Sequence, residues 1–215
     1  MSVQFEELRE KIEIKKAQIC IIGLGQVGLP TALSFVNSGF SVTGVDTDEE
    51  LINKINNGIP PFEEENLQEI LENSQKNKRF HATTKIEEAI QNSNVIIVCV
   101  ATPITENIRP DMTHLKIVCN SLANYNINKK LILIESSLPP GTFEGLILPS
   151  IQKSDEICWS CYVPERLVPG RAFSEIKVAP RLIGELNTES GILAKELYKT
   201  IVNAEIILTT FRVAE

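Results

Sequence analysis

No apolar run in this sequence is longer than the seven residues Val95–Ala101. A helix that crosses a bilayer needs about 20, so a membrane role has no support. The first residues, Met1–Arg9, are charged and lack the apolar stretch of a secretory signal. Positive charge is also scarce. Lysine and arginine total 21 against 28 acids, a net charge of −7, which gives a nucleic-acid partner no electrostatic footing. Only two histidines occur, His81 and His114, far apart in the chain. No metal site is therefore expected.

Cysteine is present but not as a disulfide framework. Cys20 and Cys99 lie in apolar, strand-like runs and read as reduced core thiols. Cys158 and Cys161 have C-x-x-C spacing, but no further ligands accompany them, and their setting is strand-like rather than a strand-to-helix turn. The compartment reads as reducing, hence cytoplasmic. The composition, 43% hydrophobic and 23% charged, is that of a globular chain. No repeat, low-complexity tract or linker divides it, so residues 1–215 read as one domain.

Apolar runs alternate with helical patterns throughout. A leading helix is expected at Val3–Ile14. Strands follow at Gln18–Ile22, Phe40–Val45, Asn94–Val100, Lys130–Glu135, Cys161–Val163, Arg181–Gly184 and Glu205–Leu208. Helices are expected at Gly28–Ser38, Asp48–Asn57, Glu63–Asn73, Lys85–Gln91, Asp111–Asn124, Thr142–Gln152 and Thr188–Thr200. The acids Glu63–Glu65 read as the solvated first turn of their helix. Lys76–Arg79 reads as a charged loop. Such alternation predicts an α/β fold with a doubly wound, mostly parallel sheet. The unbroken runs Ile19–Ile22, Val95–Val100 and Leu131–Ile134 suit strands covered on both faces.

The first strand ends in Gly23–Leu24–Gly25–Gln26–Val27–Gly28 and a helix begins there. This is G-x-G-x-x-G in the strand-turn-helix context that gives the string its meaning. Gly23 permits the turn, Gly25 lets a pyrophosphate approach the backbone, and Gly28 allows close helix–strand packing. The helix N-terminus then faces the phosphates. Asp46 ends the second strand, where a carboxylate accepts both ribose hydroxyls and repels a 2′-phosphate. A Rossmann-type site for NAD rather than NADP is the expectation.

Several further strings stand in order: Gly44–Val45–Asp46–Thr47–Asp48, Thr102–Pro103, Pro110–Asp111–Met112, Glu135–Ser136–Ser137–Leu138–Pro139–Pro140–Gly141–Thr142, Pro164–Glu165–Arg166–Leu167–Val168–Pro169–Gly170–Arg171–Ala172, and Pro180–Arg181 with Gly184. With the glycine motif they resemble the nucleotide-sugar 6-dehydrogenases, the UDP-glucose/GDP-mannose dehydrogenase family. The resemblance implies oxidation of a C6 alcohol to a carboxylate with two NAD molecules in succession, through a thioester on a cysteine. It places Gly23, Gly25, Gln26, Val27, Gly28, Asp46, Thr102 and Ser137 at the cofactor. It makes Glu165 the catalytic carboxylate, which either handles the attacking water or positions the thioester, and it places Arg166 and Leu167 at the substrate. Pro164–Glu165–Arg166 is similar to the branch acting on UDP-N-acetylglucosamine or UDP-N-acetylmannosamine. The family also implies a homo-oligomer.

There are departures. Gln26 replaces a usual tyrosine, Ser137 a threonine, and Leu51 a basic residue near the ribose. Ala214–Glu215 resembles the opening of a family string whose continuation, with the nucleophilic cysteine, lies beyond this sequence. None of the five cysteines stands in a comparable motif. The chain is thus expected to supply the cofactor-binding half and to be inactive alone. The competing reading is a non-catalytic NAD-binding module acting with a partner. His81 and His114 match no catalytic position and read as surface or core residues.

Overall fold

The computed structural model describes residues 1–152 and 156–215. Eight strands form one sheet: β1 (Gln18–Ile22), β2 (Ser41–Val45), β3 (Phe80–Thr83), β4 (Val95–Val98), β5 (Lys130–Ile134), β6 (Cys158–Tyr162), β7 (Arg181–Glu185) and β8 (Ile206–Thr210). The helices are α1 (Val3–Glu13), α2 (Gly28–Ser38), α3 (Glu49–Asn56), α4 (Leu67–Lys76), α5 (Ile86–Gln91), α6 (Thr113–Asn124), α7 (Leu148–Ile151), α8 (Ala172–Val178), α9 (Thr188–Tyr198) and α10 (Phe211–Ala214). A π-helical turn, Phe143–Ile147, runs directly into α7.

The strand order is β3-β2-β1-β4-β5-β6-β7-β8. All described pairs are parallel except β6 with β7. The chain therefore leaves β1 in one direction to make β2 and β3, then crosses back to place β4 on its other side. That reversal is the topological switch point of a doubly wound sheet, and the fold is the Rossmann type expected.

Strand periodicity sends alternate residues to opposite layers. Ile19, Ile21, Val95, Ile97, Leu131 and Leu133 join the core beneath α1, α2, α4 and α9. Cys20, Ile22, Ile96, Val98, Ile132 and Ile134 join the core beneath α5, α6 and the π-turn. The leading helix is a docked element. Ser2 caps it, its hydroxyl accepting from the Phe5 amide at 3.2 Å. Phe5, Leu8 and Ile12 are buried, and Phe5 meets Trp159 edge-on at 6.3 Å. Burial of each such side chain stabilises by about 1.5–3 kcal/mol.

Two local expectations need correction, and one helix was not anticipated. The helix expected from Glu63 begins at Leu67, because Asn66 takes a left-handed φ of 61° and breaks the preceding turn. Glu63–Glu65 are thus not a first helical turn. The segment Thr142–Gln152 opens as a π-turn. Pro149 has no N–H to donate to the Gly145 carbonyl, so an ordinary α ladder cannot continue through it. α8, after the Pro-Gly turn at 169–170, was not apparent in the apolar pattern. His81 lies on β3, an edge strand, and is exposed, in keeping with its reading as a surface or core residue.

Candidate functional site

A cleft of about 500 Å³ opens over the C-terminal ends of β1, β2, β4 and β5. Its floor is the turn after β1. Gly23 has φ +94°, and a Cβ there would lie 2.7 Å from the Cys99 carbonyl oxygen. A Cβ on Gly28 would lie 1.8 Å from the Gly23 carbonyl oxygen, so Gly28 is where α2 presses on the turn. Gly25 has open space in front of it. No side chain caps the N-terminus of α2, and no acid sits in its first turn. Uncapped amides at that end of the dipole can take an anion.

Asp46 closes β2 beside this turn. Its Oδ2 accepts from the Leu24 amide at 2.8 Å and its Oδ1 from the Asp48 amide at 3.1 Å. Both oxygens keep lone pairs for donors arriving from the cleft. Asp48 in turn caps α3 by accepting from the Glu50 and Leu51 amides at 2.9 and 3.1 Å. The carboxylate of Asp46 is therefore held rigidly at one end of the cleft.

The far end is built from the segments after β4 and β5. The Thr102 hydroxyl donates to the Ser137 carbonyl at 2.9 Å, and the Ser136 hydroxyl donates to the Val100 carbonyl at 2.8 Å. These bonds stitch the two loops into one wall. Gly23, Gly25, Gln26, Val27, Asp46, Thr102, Ser137 and Glu165 all line the cleft, while Gly28 sits beneath it. Arg166 and Leu167 do not line it. Arg166 is exposed and Leu167 packs partly against the core. His114, unassigned from sequence, is exposed on the cleft wall.

Below the far end lies a cluster that single-residue reasoning missed. Glu135, at the end of β5, is 2% exposed. It accepts from the Tyr198 hydroxyl at 2.5 Å and the Cys99 thiol at 3.2 Å. Arg181, 4% exposed, sits 3.9 Å from Glu135, pairs directly with Glu165, and lies over the Tyr198 ring at 5.1 Å. Burial, reinforced by the charge of Glu135, pushes both the Cys99 thiol and the Tyr198 hydroxyl well up, so both remain neutral donors. The available signal was a glutamate closing an apolar strand and an arginine opening another. A charge at a strand end inside two covered layers needs a partner.

The loop that carries Glu165 is tied down from two sides. The Val168 amide donates to Glu175 at 2.7 Å, and the Gly170 amide donates to Glu64 at 2.9 Å. One of the three acids read as solvated is thus a tether across the structure.

The thiols are placed as packing groups. Burial pushes Cys20 and Cys161 up to about 12 and raises Cys119. Cys158 and Cys161 pack into opposite cores from the two faces of β6, so the C-x-x-C spacing does not bring them together.

A family model described as the UDP-glucose/GDP-mannose dehydrogenase family, NAD binding domain, matches residues 17–202. UDP-N-acetyl-D-mannosamine dehydrogenase of Methanococcus vannielii is 36% identical over 210 residues, covering 96% of this chain and 47% of that protein. The enzyme of the same name from Pyrococcus horikoshii is 34% identical over 203 residues, covering 92% and 48%. A solved structure of UDP-D-ManNAc dehydrogenase from Pyrococcus horikoshii superposes with a TM-score of 0.85 at 33% identity, covering 92% of this chain and 48% of that one. The chain spans about half the length of the curated relatives it matches.

Proposed function

Because the chain belongs to the UDP-glucose/GDP-mannose dehydrogenase family, we propose that residues 1–215 form the NAD-holding part of an enzyme that oxidises the C6 alcohol of a UDP-N-acetylhexosamine. The observation that carries the cofactor half is the rigid Asp46 carboxylate beside an uncapped helix N-terminus and an open glycine turn. Gly23, Gly25, Gln26, Val27 and Gly28 cradle the pyrophosphate, and Asp46 takes the ribose hydroxyls. Thr102 and Ser137 wall the nicotinamide half. NAD supplies the hydride acceptor.

The sugar class rests on Pro164–Glu165–Arg166 together with the names of the relatives. Glu165 reaches the cleft wall with its carboxylate held by Arg181. There it orients or deprotonates the water that attacks the carbonyl. Arg166, exposed beside it, presents a planar donor fork to the anionic substrate.

Four of the five thiols are pushed away from ionisation, and Cys158 lies on β6 away from the cleft. Cys99, the thiol that lines the cleft, is held as a donor to Glu135 with its ionisation opposed by burial, and so is not poised as a thiolate nucleophile. We expect this chain by itself to bind NAD without turning over a nucleotide sugar. Calorimetric titration with NAD, with NADP as control, tests the cofactor reading. Binding of NAD alone supports it. Failure of both to bind refutes it. Titration with UDP-N-acetylhexosamines and with GDP-mannose tests the sugar class, which falls if the guanosine compound binds as well as the uridine compounds.

A further inference from the structure

Glu135, Glu165 and Arg181 place three formal charges in the interior, with side chains 0%, 6% and 5% exposed. Two are negative and one positive, so the cluster carries one uncompensated negative charge. Tyr198 and Cys99 donate to it but stay neutral, and so cancel none of it. Among the described residues that line the cleft there is no lysine or arginine. A buried excess charge is costly unless a counter-charge approaches. Glu135 and Glu165 both face the cleft, so the approach from that side is open.

Asp46 and the glycine turn assign the adenosine and pyrophosphate to the other end. The nicotinamide half therefore falls to the end that Thr102, Ser137, Glu135 and Glu165 wall. NAD+ and NADH share every group except this ring, which carries one positive charge when oxidised and none when reduced. We propose that the Glu135–Arg181–Glu165 cluster tilts this site toward the oxidised cofactor by supplying the negative charge that the nicotinamide ring answers. The inference rests on the NAD reading above. In a reaction that consumes two NAD+ in turn, a weaker hold on NADH clears the site for the second.

The test is calorimetric titration of the 215-residue chain with NAD+ and with NADH under one buffer and salt condition, read as the ratio of the two dissociation constants. At an effective dielectric of about 20, a unit charge within roughly 12 Å of the ring shifts that ratio about tenfold or more. Glu135→Gln and Glu165→Gln should each reduce the preference for NAD+ about tenfold. Asp46→Asn should weaken both forms and change the ratio less than either glutamine variant, because Asp46 stands at the adenosine end of the cleft, farther from the ring. If Glu135→Gln does not fold, as circular dichroism would show, Glu165→Gln on its loop decides alone. Variants that bind both forms with the wild-type ratio overturn the inference and leave the NAD reading intact. A wild-type chain that binds neither form overturns both.

Discussion

Replacing Asp46 by alanine removes one carboxylate that serves two sets of donors. Toward the protein it accepts from the Leu24 amide at 2.8 Å and the Asp48 amide at 3.1 Å. In the proposed NAD site its remaining lone pairs, which point to the cleft, take the two ribose hydroxyls. Bonds to a charged acceptor contribute more than neutral ones, and the net loss of the ribose pair comes to about 1–3 kcal/mol, or roughly 5- to 150-fold in NAD affinity. The protein side has its own cost. The Leu24 amide loses its acceptor, and about 1 kcal/mol of stability goes with it. Two measurements separate the effects: calorimetric titration with NAD and NADP, and urea unfolding of the free protein. Removing the negative charge also lifts the repulsion of a 2′-phosphate, so the NAD/NADP preference should narrow as NAD affinity falls. Asp46→Ala protein that binds NAD as wild type does, and still excludes NADP, would refute the assignment of this carboxylate to the ribose.

Two glycines of one motif should respond differently. Gly28→Ala drives a Cβ to within 1.8 Å of the Gly23 carbonyl oxygen. It should destabilise the fold by about 3 kcal/mol or more in urea titration. Gly25→Ala meets nothing within 4 Å, and should keep the wild-type unfolding midpoint while weakening NAD, because its Cβ would fill the open space proposed for the pyrophosphate. Equal midpoints for the two variants would contradict this geometry. Glu64→Ala removes the acceptor of the Gly170 amide, so hydrogen exchange at Gly170 should quicken while exchange in β1 and β4 does not. Unchanged exchange at Gly170 would mean the tether carries no load. The thiols predict alkaline instability. Cys20 and Cys161 are pushed up to about 12 in the folded state, whereas an unfolded thiol ionises near 8.5. The unfolded state therefore sheds protons first. The stability these groups contribute is complete below that value and falls between it and 12, by about 1.4 kcal/mol per pH unit per thiol. Cys20→Ala should flatten the slope, and an unchanged slope between pH 9 and 11 would show that the thiol does not drive it.

Much of the scaffold was legible because its signals are local. Ile19–Ile22, Val95–Val98 and Leu131–Ile134 are strands because uninterrupted branched apolar residues can bury both faces of a pleat. The start and stop of α2 follow from Gly28 packing and from Gly39, which takes φ +112° at the C-cap. Errors arose where a remote group or a single backbone angle decided the outcome. The acids 63–65 looked like a helical first turn, yet Asn66 breaks the chain there and Glu64 reaches Gly170, 106 residues away. The segment after Gly141 also has a distant partner, since Glu215 accepts from the Gly141 and Phe143 amides at 2.9 and 2.6 Å.

Glycines at set intervals, an acid closing the second strand and the alternation of strand and helix are properties of neighbours in the chain. They reach no further than a turn or a βαβ unit, and within that range they identified the family's cofactor-binding architecture and placed Asp46 at the end of the second strand. Tertiary structure alone decided which charges meet in the interior. Glu135, Glu165, Arg181 and Tyr198 come from four separate elements, and no periodicity relates them. Their common neighbourhood exists because β5, β6 and β7 lie side by side while α9 folds back across them. Coulomb interaction depends on separation in space and on the dielectric of the surroundings. Neither quantity can be written down until the chain has closed on itself.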